Sequence, residues 1–373
     1  MEKRREKKRR QEQRRQEQRR KRLCILGVIV LVVLCVGLAC LLHKKSDKKA
    51  DTGNEKTASQ DMTSRQSKEN ADQSKAQKTE KKDTSASEDA EKKSSDDQKA
   101  SKKDANTTVT PTPTPTEELP ESEQVYWSDN WTYASNSKVH QESVTLYHAD
   151  SSVRKEDGYV VAVNAGHGSK AAQQVQTPCH PDGTAKVTGG STEAGATTAT
   201  GANSGTTFLD GSTEASATLS LALILKEKLL AAGYDVLMLR ESDDCDLDNI
   251  ARTVYANNNA DCHLALHYDS TESDKGFFYM GVPENDSYRS MEPVASHWSE
   301  HEHLGQSLVQ GESALGVGIF DDGRLEMDLT QTSYSTVPSV DVEVGDRGSD
   351  HSQETQEKIA QGIVDGLDVF FGI

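Results

Sequence analysis

A chain of 373 residues with only 34% hydrophobic and 5% aromatic side chains is too polar along part of its length to pack as one continuous globule. Its charge is divided: residues 1–22 hold 13 Lys/Arg against 4 Glu, residues 23–120 hold 16 of each sign, and residues 121–373 hold 14 basic against 40 acidic side chains. So acidic a folded part is not expected to hold nucleic acid or other polyanions by bulk attraction.

Residues 23–42 (LCILGVIVLVVLCVGLACLL) form an uncharged run of 20 residues. As a helix it spans roughly 30 Å, the hydrocarbon thickness of a bilayer. The basic block before it, residues 1–22, predicts a cytoplasmic tail, with everything after residue 42 outside the cell membrane. A run this long favours an uncleaved single-pass anchor over a signal peptide. Lipoprotein processing at Cys40 is disfavoured, because the usual leucine three residues earlier is missing.

Residues 43–120 are rich in Lys, Asp, Ser and Glu and end in a Thr-Pro repeat, which predicts a disordered, partly extended linker. Residues 121–157 carry Tyr126, Trp127, Trp131, Tyr133 and Tyr147 without a clear period. They read as an N-terminal extension of no definite structure, in which packing is favoured over sugar stacking.

From residue 158 onward strands alternate with helices. YVVAVN (159–164) reads as a strand ending in the glycine-rich turn Ala-Gly-His-Gly. Residues 214–232 read as a helix stopped by Gly233, and 234–239 as the next strand. Asp248 is placed to cap a further helix. HLALHY (263–268) and VPSVDVEV (337–344) read as strands, and Ile359, Ile363, Leu367, Phe370 and Phe371 mark a C-terminal helix. The expected fold is an α/β domain over 158–373, a mostly parallel central sheet flanked by helices. Functional residues then belong at strand ends. Three cysteines fall here, Cys179, Cys245 and Cys262, and either one disulfide plus a thiol or three buried thiols fits them.

Three such places offer metal ligands: His167 after the first strand, Glu214 opening the first long helix, and His267 ending HLALHY. A hydrolytic zinc site needs three protein ligands and an open position. It also needs a group to take a proton from water, and Glu343 is the candidate, since a carboxylate inside an apolar strand is costly unless it has a charge partner or a chemical role.

The order of these residues resembles the zinc-dependent N-acetylmuramoyl-L-alanine amidases, cell-wall hydrolases, of which this chain looks like a divergent member. The resemblance rests on NAGHG (164–168), Glu214 before the TLSLA helix segment, GYDVLMLR ending at Arg240, the block Arg252, Ala256, Asn257, Ala260, Asp261 and His267, and PSVDVEVG (338–345). It implies one catalytic zinc held by His167, Glu214 and His267, with Glu343 as the catalytic carboxylate. It further implies hydrolysis of the amide between N-acetylmuramic acid and L-alanine in peptidoglycan. A zinc peptidase acting within the stem peptide, and a wall-binding or division scaffold without turnover, are the alternatives. A regulatory protein partner is not readable from the residues.

The chain departs from the family pattern at several points. Forty-six residues separate His167 from Glu214, and much of that stretch reads as a flexible surface loop whose Glu193 is a rival ligand. Asp269, Asp341 and Arg347 replace the family's usual residues and are expected to act around the metal or the substrate. Asp341, two positions from Glu343 on one strand face, is expected to raise its pKa. His263 reads either as a support behind the ligands or simply as a buried histidine. His297, His301 and His303 read as the solvated face of a helix, and His180 and His351 as loop residues without a role.

Overall fold

The computed structural model describes residues 120–373. The expected basic tail, the membrane helix at 23–42 and all but the last residue of the linker lie outside the described residues. Among the described residues no helix is long and apolar enough to cross a membrane.

The chain enters through a hairpin, β1 (Ser122–Tyr126) and β2 (Ser143–Tyr147), and continues into β3 (Val160–Ala165). Every residue of β3 is buried, as expected of a strand covered on both faces. A small two-stranded sheet follows, β4 (Gln176–Pro178) with β5 (Thr198–Thr200), and then helix α1 (Glu214–Ala231). Next come β6 (Asp235–Met238), α2 (Asn249–Asn259), β7 (Cys262–Asp269) and β8 (Phe277–Gly281). The short α3 (Asp286–Arg289), the long α4 (Val294–Ala314), β9 (Ile319–Glu326), α5 (Thr330–Tyr334), β10 (Ser339–Asp346) and α6 (Gln353–Phe371) complete the chain.

Eight strands make one sheet in the order β1-β2-β6-β3-β7-β10-β8-β9. The four central strands, β6, β3, β7 and β10, run parallel to one another. The outer pairings β1–β2, β2–β6 and β10–β8 are antiparallel and β8–β9 is parallel, so the sheet as a whole is mixed around a parallel centre. Helices α1, α4 and α6 cover one face, where Leu221, Leu225, Leu308 and Ile363 meet Val163, Leu264 and Val342. On the opposite face α2 packs Ala251 and Tyr255 against Val160, Ala162 and Leu237. Cys179, Cys245 and Cys262 are buried free thiols.

Helix starts follow their caps. Thr213 accepts from the Ser216 N–H, and Asp248 from the Ala251 N–H. Asp248 also accepts from the main chain of Lys138 and Val139, tying the N-terminal segment to α2. The N-terminal extension is therefore built into the domain, with its hairpin β1–β2 forming one edge of the sheet. Trp127 and Trp131 stack edge-on against Tyr255, which makes them packing residues, while Tyr126 remains exposed.

Helices α4 and α6 approach closely through glycine: a Cβ at Gly311 would lie 2.2 Å from the Gly362 carbonyl oxygen. Glu312 is sealed into this interface with no partner for either carboxylate oxygen, and burial, assisted by Asp365, pushes its carboxyl up to about 9.

The stretch between His167 and Glu214 is folded, contrary to the flexible loop expected of its Gly, Ser and Thr. Asp328 anchors it: its carboxylate takes the His180 Nε2 at 2.9 Å and the Val187 N–H at 2.7 Å, and its carbonyl accepts from Lys186. His180 thus has a structural role. So does His351, which packs on Phe208 and bonds Ser212. The reading of α4 as presenting a solvated His–Glu face also fails at its centre. His301 is buried and accepts the Ser339 N–H, and Glu302 pairs with Arg324 and the Tyr279 hydroxyl.

Candidate metal centre

His167 follows β3 in a left-handed conformation, φ 63°, which a non-glycine residue holds only under constraint. Two buried arginines supply it. Arg252 donates to the carbonyls of Ala165 and His167 and to the Asn164 side chain, at 2.6–2.7 Å. Arg240 donates to the carbonyls of Ala165, Gly166 and Ala215. The turn is also crowded: a Cβ at Gly166 would sit 2.4 Å from the His267 ring.

Glu214 enters from the first turn of α1 and His267 from β7. Their ligand atoms converge with that of His167: His167 Nε2 lies 2.7 Å from Glu214 Oε1, His267 Nδ1 lies 3.0 Å from His167 Nε2, and His267 Nδ1 lies 3.1 Å from Glu214 Oε1. Among the described residues this is the one group of three or more His, Cys, Asp or Glu able to hold a metal ion. Glu193 is exposed and does not join it.

The donor set fits zinc. Two imidazole nitrogens and a carboxylate oxygen are ordinary zinc ligands, and tetrahedral bonds of 2.0–2.1 Å put ligand atoms about 3.3 Å apart. From separations of 2.7–3.1 Å the cradle needs to widen by about 0.2–0.6 Å. Its field also favours a cation. Burial alone raises the Glu214 carboxyl, but the two imidazoles hold it well below its ordinary range. His267, despite burial, is pushed up to about 10 by Asp341, Glu214 and Glu343.

Glu343 on β10 is the register partner of His267 on β7, so the two stand side by side on one sheet face. Its Oε2 is buried without a partner; burial raises the carboxyl well above the usual range, and Asp341 adds to the shift in the expected direction. Asp341 occupies the same face, with Oδ2 3.5 Å from His267 Nε2 and Oδ1 lacking a partner. Asp269 and Arg347 are engaged elsewhere. The Asp269 carboxylate pairs with Lys275, and Arg347 with Glu272 at 3.0 Å. His263 is fully buried near Ser339, and burial, Arg252 and His301 lower its pKa to about 3. In the sequence Arg240 and Arg252 stand out only as motif letters. Their burial beneath the ligand turn is legible in neither residue alone.

The family model described as N-acetylmuramoyl-L-alanine amidase matches residues 161–369. No curated protein matches the chain. Among solved structures, the amidase Ami1 from Mycobacterium smegmatis is 23% identical with a TM-score of 0.47, over 58% of this chain and 97% of that one. The N-acetylmuramoyl-L-alanine amidase from Clostridium difficile 630 is 17% identical with a TM-score of 0.40, over 58% and 97%. The catalytic domain of CwlV from Bacillus (Paenibacillus) polymyxa var. colistinus is 19% identical with a TM-score of 0.37, over 58% and 99%. With a family match that spans more than half of its 373 residues, the chain belongs to the N-acetylmuramoyl-L-alanine amidase family.

Proposed function

We propose that this chain hydrolyses the amide between the lactyl group of N-acetylmuramic acid and L-alanine in peptidoglycan, with zinc as its cofactor. The reading is carried by the convergence of His167 Nε2, Glu214 Oε1 and His267 Nδ1, with Glu343 directly beside His267. These three side chains would hold the ion. When bound, zinc supplies Lewis acidity toward the scissile carbonyl and toward the attacking water. Glu343 accepts a proton from that water and returns it to the departing amide nitrogen, so one water is consumed and a carboxylic acid and an amine are released. The left-handed turn at His167, fixed by Arg240 and Arg252, holds one imidazole in place. The apolar run at residues 23–42 and the linker after it support an anchored enzyme acting outside the membrane on the wall above it.

Incubation of the full-length protein with purified peptidoglycan tests the proposal. Release of stem peptides that begin with L-alanine and carry no muramic acid is expected, and removal of zinc should abolish it. Release of shortened stems or single amino acids would assign a peptidase instead. Zinc-loaded protein that releases nothing would assign a wall-binding scaffold.

A further inference from the structure

The 46 residues between His167 and Glu214 form an insertion, and the segment that returns from it to α1 runs directly over the ligands. The Asn203 carbonyl accepts from His167 Nδ1 at 3.1 Å, which leaves Nε2, the atom facing Glu214, free to bind metal. The Thr206 N–H donates to Glu214 Oε2 at 2.8 Å, which leaves Oε1 toward the two imidazoles. Gly205 lies between these contacts at φ +78°, and a Cβ there would stand 2.7 Å from His167 Cδ2 and 2.9 Å from Glu214 Oε2. The Asn203 side chain closes the turn by accepting the Gly205 N–H at 3.1 Å. The insertion holds the turn from behind, with the Gly201 N–H donating to the Val175 carbonyl and the Ala202 N–H to the Ala172 carbonyl.

We infer that residues 203–206 are a positioning segment for the metal centre, selecting by main-chain contacts the ligand atoms of His167 and Glu214. The inference rests on the metal reading proposed above. Outer hydrogen bonds fix the tautomer and orientation of a ligand, and their loss typically lowers metal affinity 10–100-fold. Because the contacts come from the backbone, the sensitive side chain is the one that is absent, at Gly205. The insertion then serves the chemistry, because its fold delivers this turn to the ligands.

The test is a zinc titration against a competing chelator on the full-length protein stripped of metal, together with melting of the metal-free form. Gly205→Ala should bind zinc about 10–100-fold more weakly than wild type. Gly183→Ala is the matched control. Gly183 also lies in the insertion at positive φ, +77°, but nothing stands within 4 Å of its would-be Cβ, so it carries the backbone strain without the ligand contact. Zinc affinity should be unchanged there, while metal-free melting falls in both variants, further in Gly205→Ala, whose Cβ also meets His167 and Glu214. Wild-type affinity in Gly205→Ala, or an equal loss in Gly183→Ala, would overturn the positioning role. Should Gly205→Ala not fold, Asn203→Ala decides: a several-fold loss supports the role and wild-type affinity overturns it. A wild-type protein that takes up no zinc would instead remove the metal reading itself.

Discussion

Arg252 donates to the main-chain carbonyl of His167 at 2.6 Å, so a fully buried guanidinium on α2 holds open the strained turn that presents a candidate ligand. Replacing Arg252 with Leu strands the buried His167 carbonyl and the Asn164 side-chain oxygen, each costing about 1–3 kcal/mol, while the Ala165 carbonyl keeps Arg240. Denaturant unfolding should therefore show a loss of roughly 3–5 kcal/mol. Arg252→Lys should recover only part of it, because an ammonium lacks the planar fork. A Leu variant as stable as wild type would show that the turn holds itself.

Glu214 and Glu343 should separate binding from chemistry. Glu214→Gln is expected to lose zinc and activity together. Glu343→Gln should keep one zinc per chain while turnover falls by about 10²–10⁴-fold. Metal analysis beside a peptide-release assay reads both. Equal zinc loss in the two variants would place Glu343 among the ligands and leave the proton transfer without its carrier.

Glu312 should make stability depend on pH. Its folded carboxyl titrates near 9, against an ordinary value of 4.5, so between those limits the folded chain holds a proton that the unfolded chain has released. The raised pKa means that its full contribution is present at low pH and declines as pH climbs toward 9. Glu312→Gln, neutral throughout, should gain little melting temperature over wild type near pH 5 and clearly more near pH 9. Parallel curves for the two proteins would mean that the carboxyl finds a partner in solution.

Asp328 should act as the latch of the insertion. Asp328→Ala leaves His180 and Lys186 buried without their carboxylate, a change that costs about 3–5 kcal/mol in comparable buried pairs. Limited proteolysis should then cut within residues 176–200 well before the rest of the domain. An uncut insertion would locate its stability elsewhere.

Much of the fold is legible in the sequence because its central strands are continuous apolar runs. VVAVNA and CHLALHYD are buried almost throughout, and such runs announce themselves. His167, Glu214 and His267 are legible for a related reason: polar residues at the ends of apolar elements stand out. The N-terminal hairpin is not, since β1 buries only Val125 of its five residues and has no apolar face to read. His301 and Glu302 look solvated by their alternation, yet their partners, Ser339 and Arg324, lie more than 20 residues away. The insertion misleads by composition. What orders it is a single buried aspartate and a series of main-chain bonds, and neither leaves a periodic trace.

The hairpin of residues 122–147 also has a bearing on how the domain keeps to itself. The family match begins at residue 161, inside β3, whereas β2 pairs along β6 and covers it with Val144 and Leu146. A chain trimmed to the matched region would lay bare the unpaired amides and carbonyls of β6 beside an apolar strip, an open template on which a second molecule could add its own strand. The two short strands ahead of the matched region cover that strip and move the edge to β1, which buries only Val125 of its five residues.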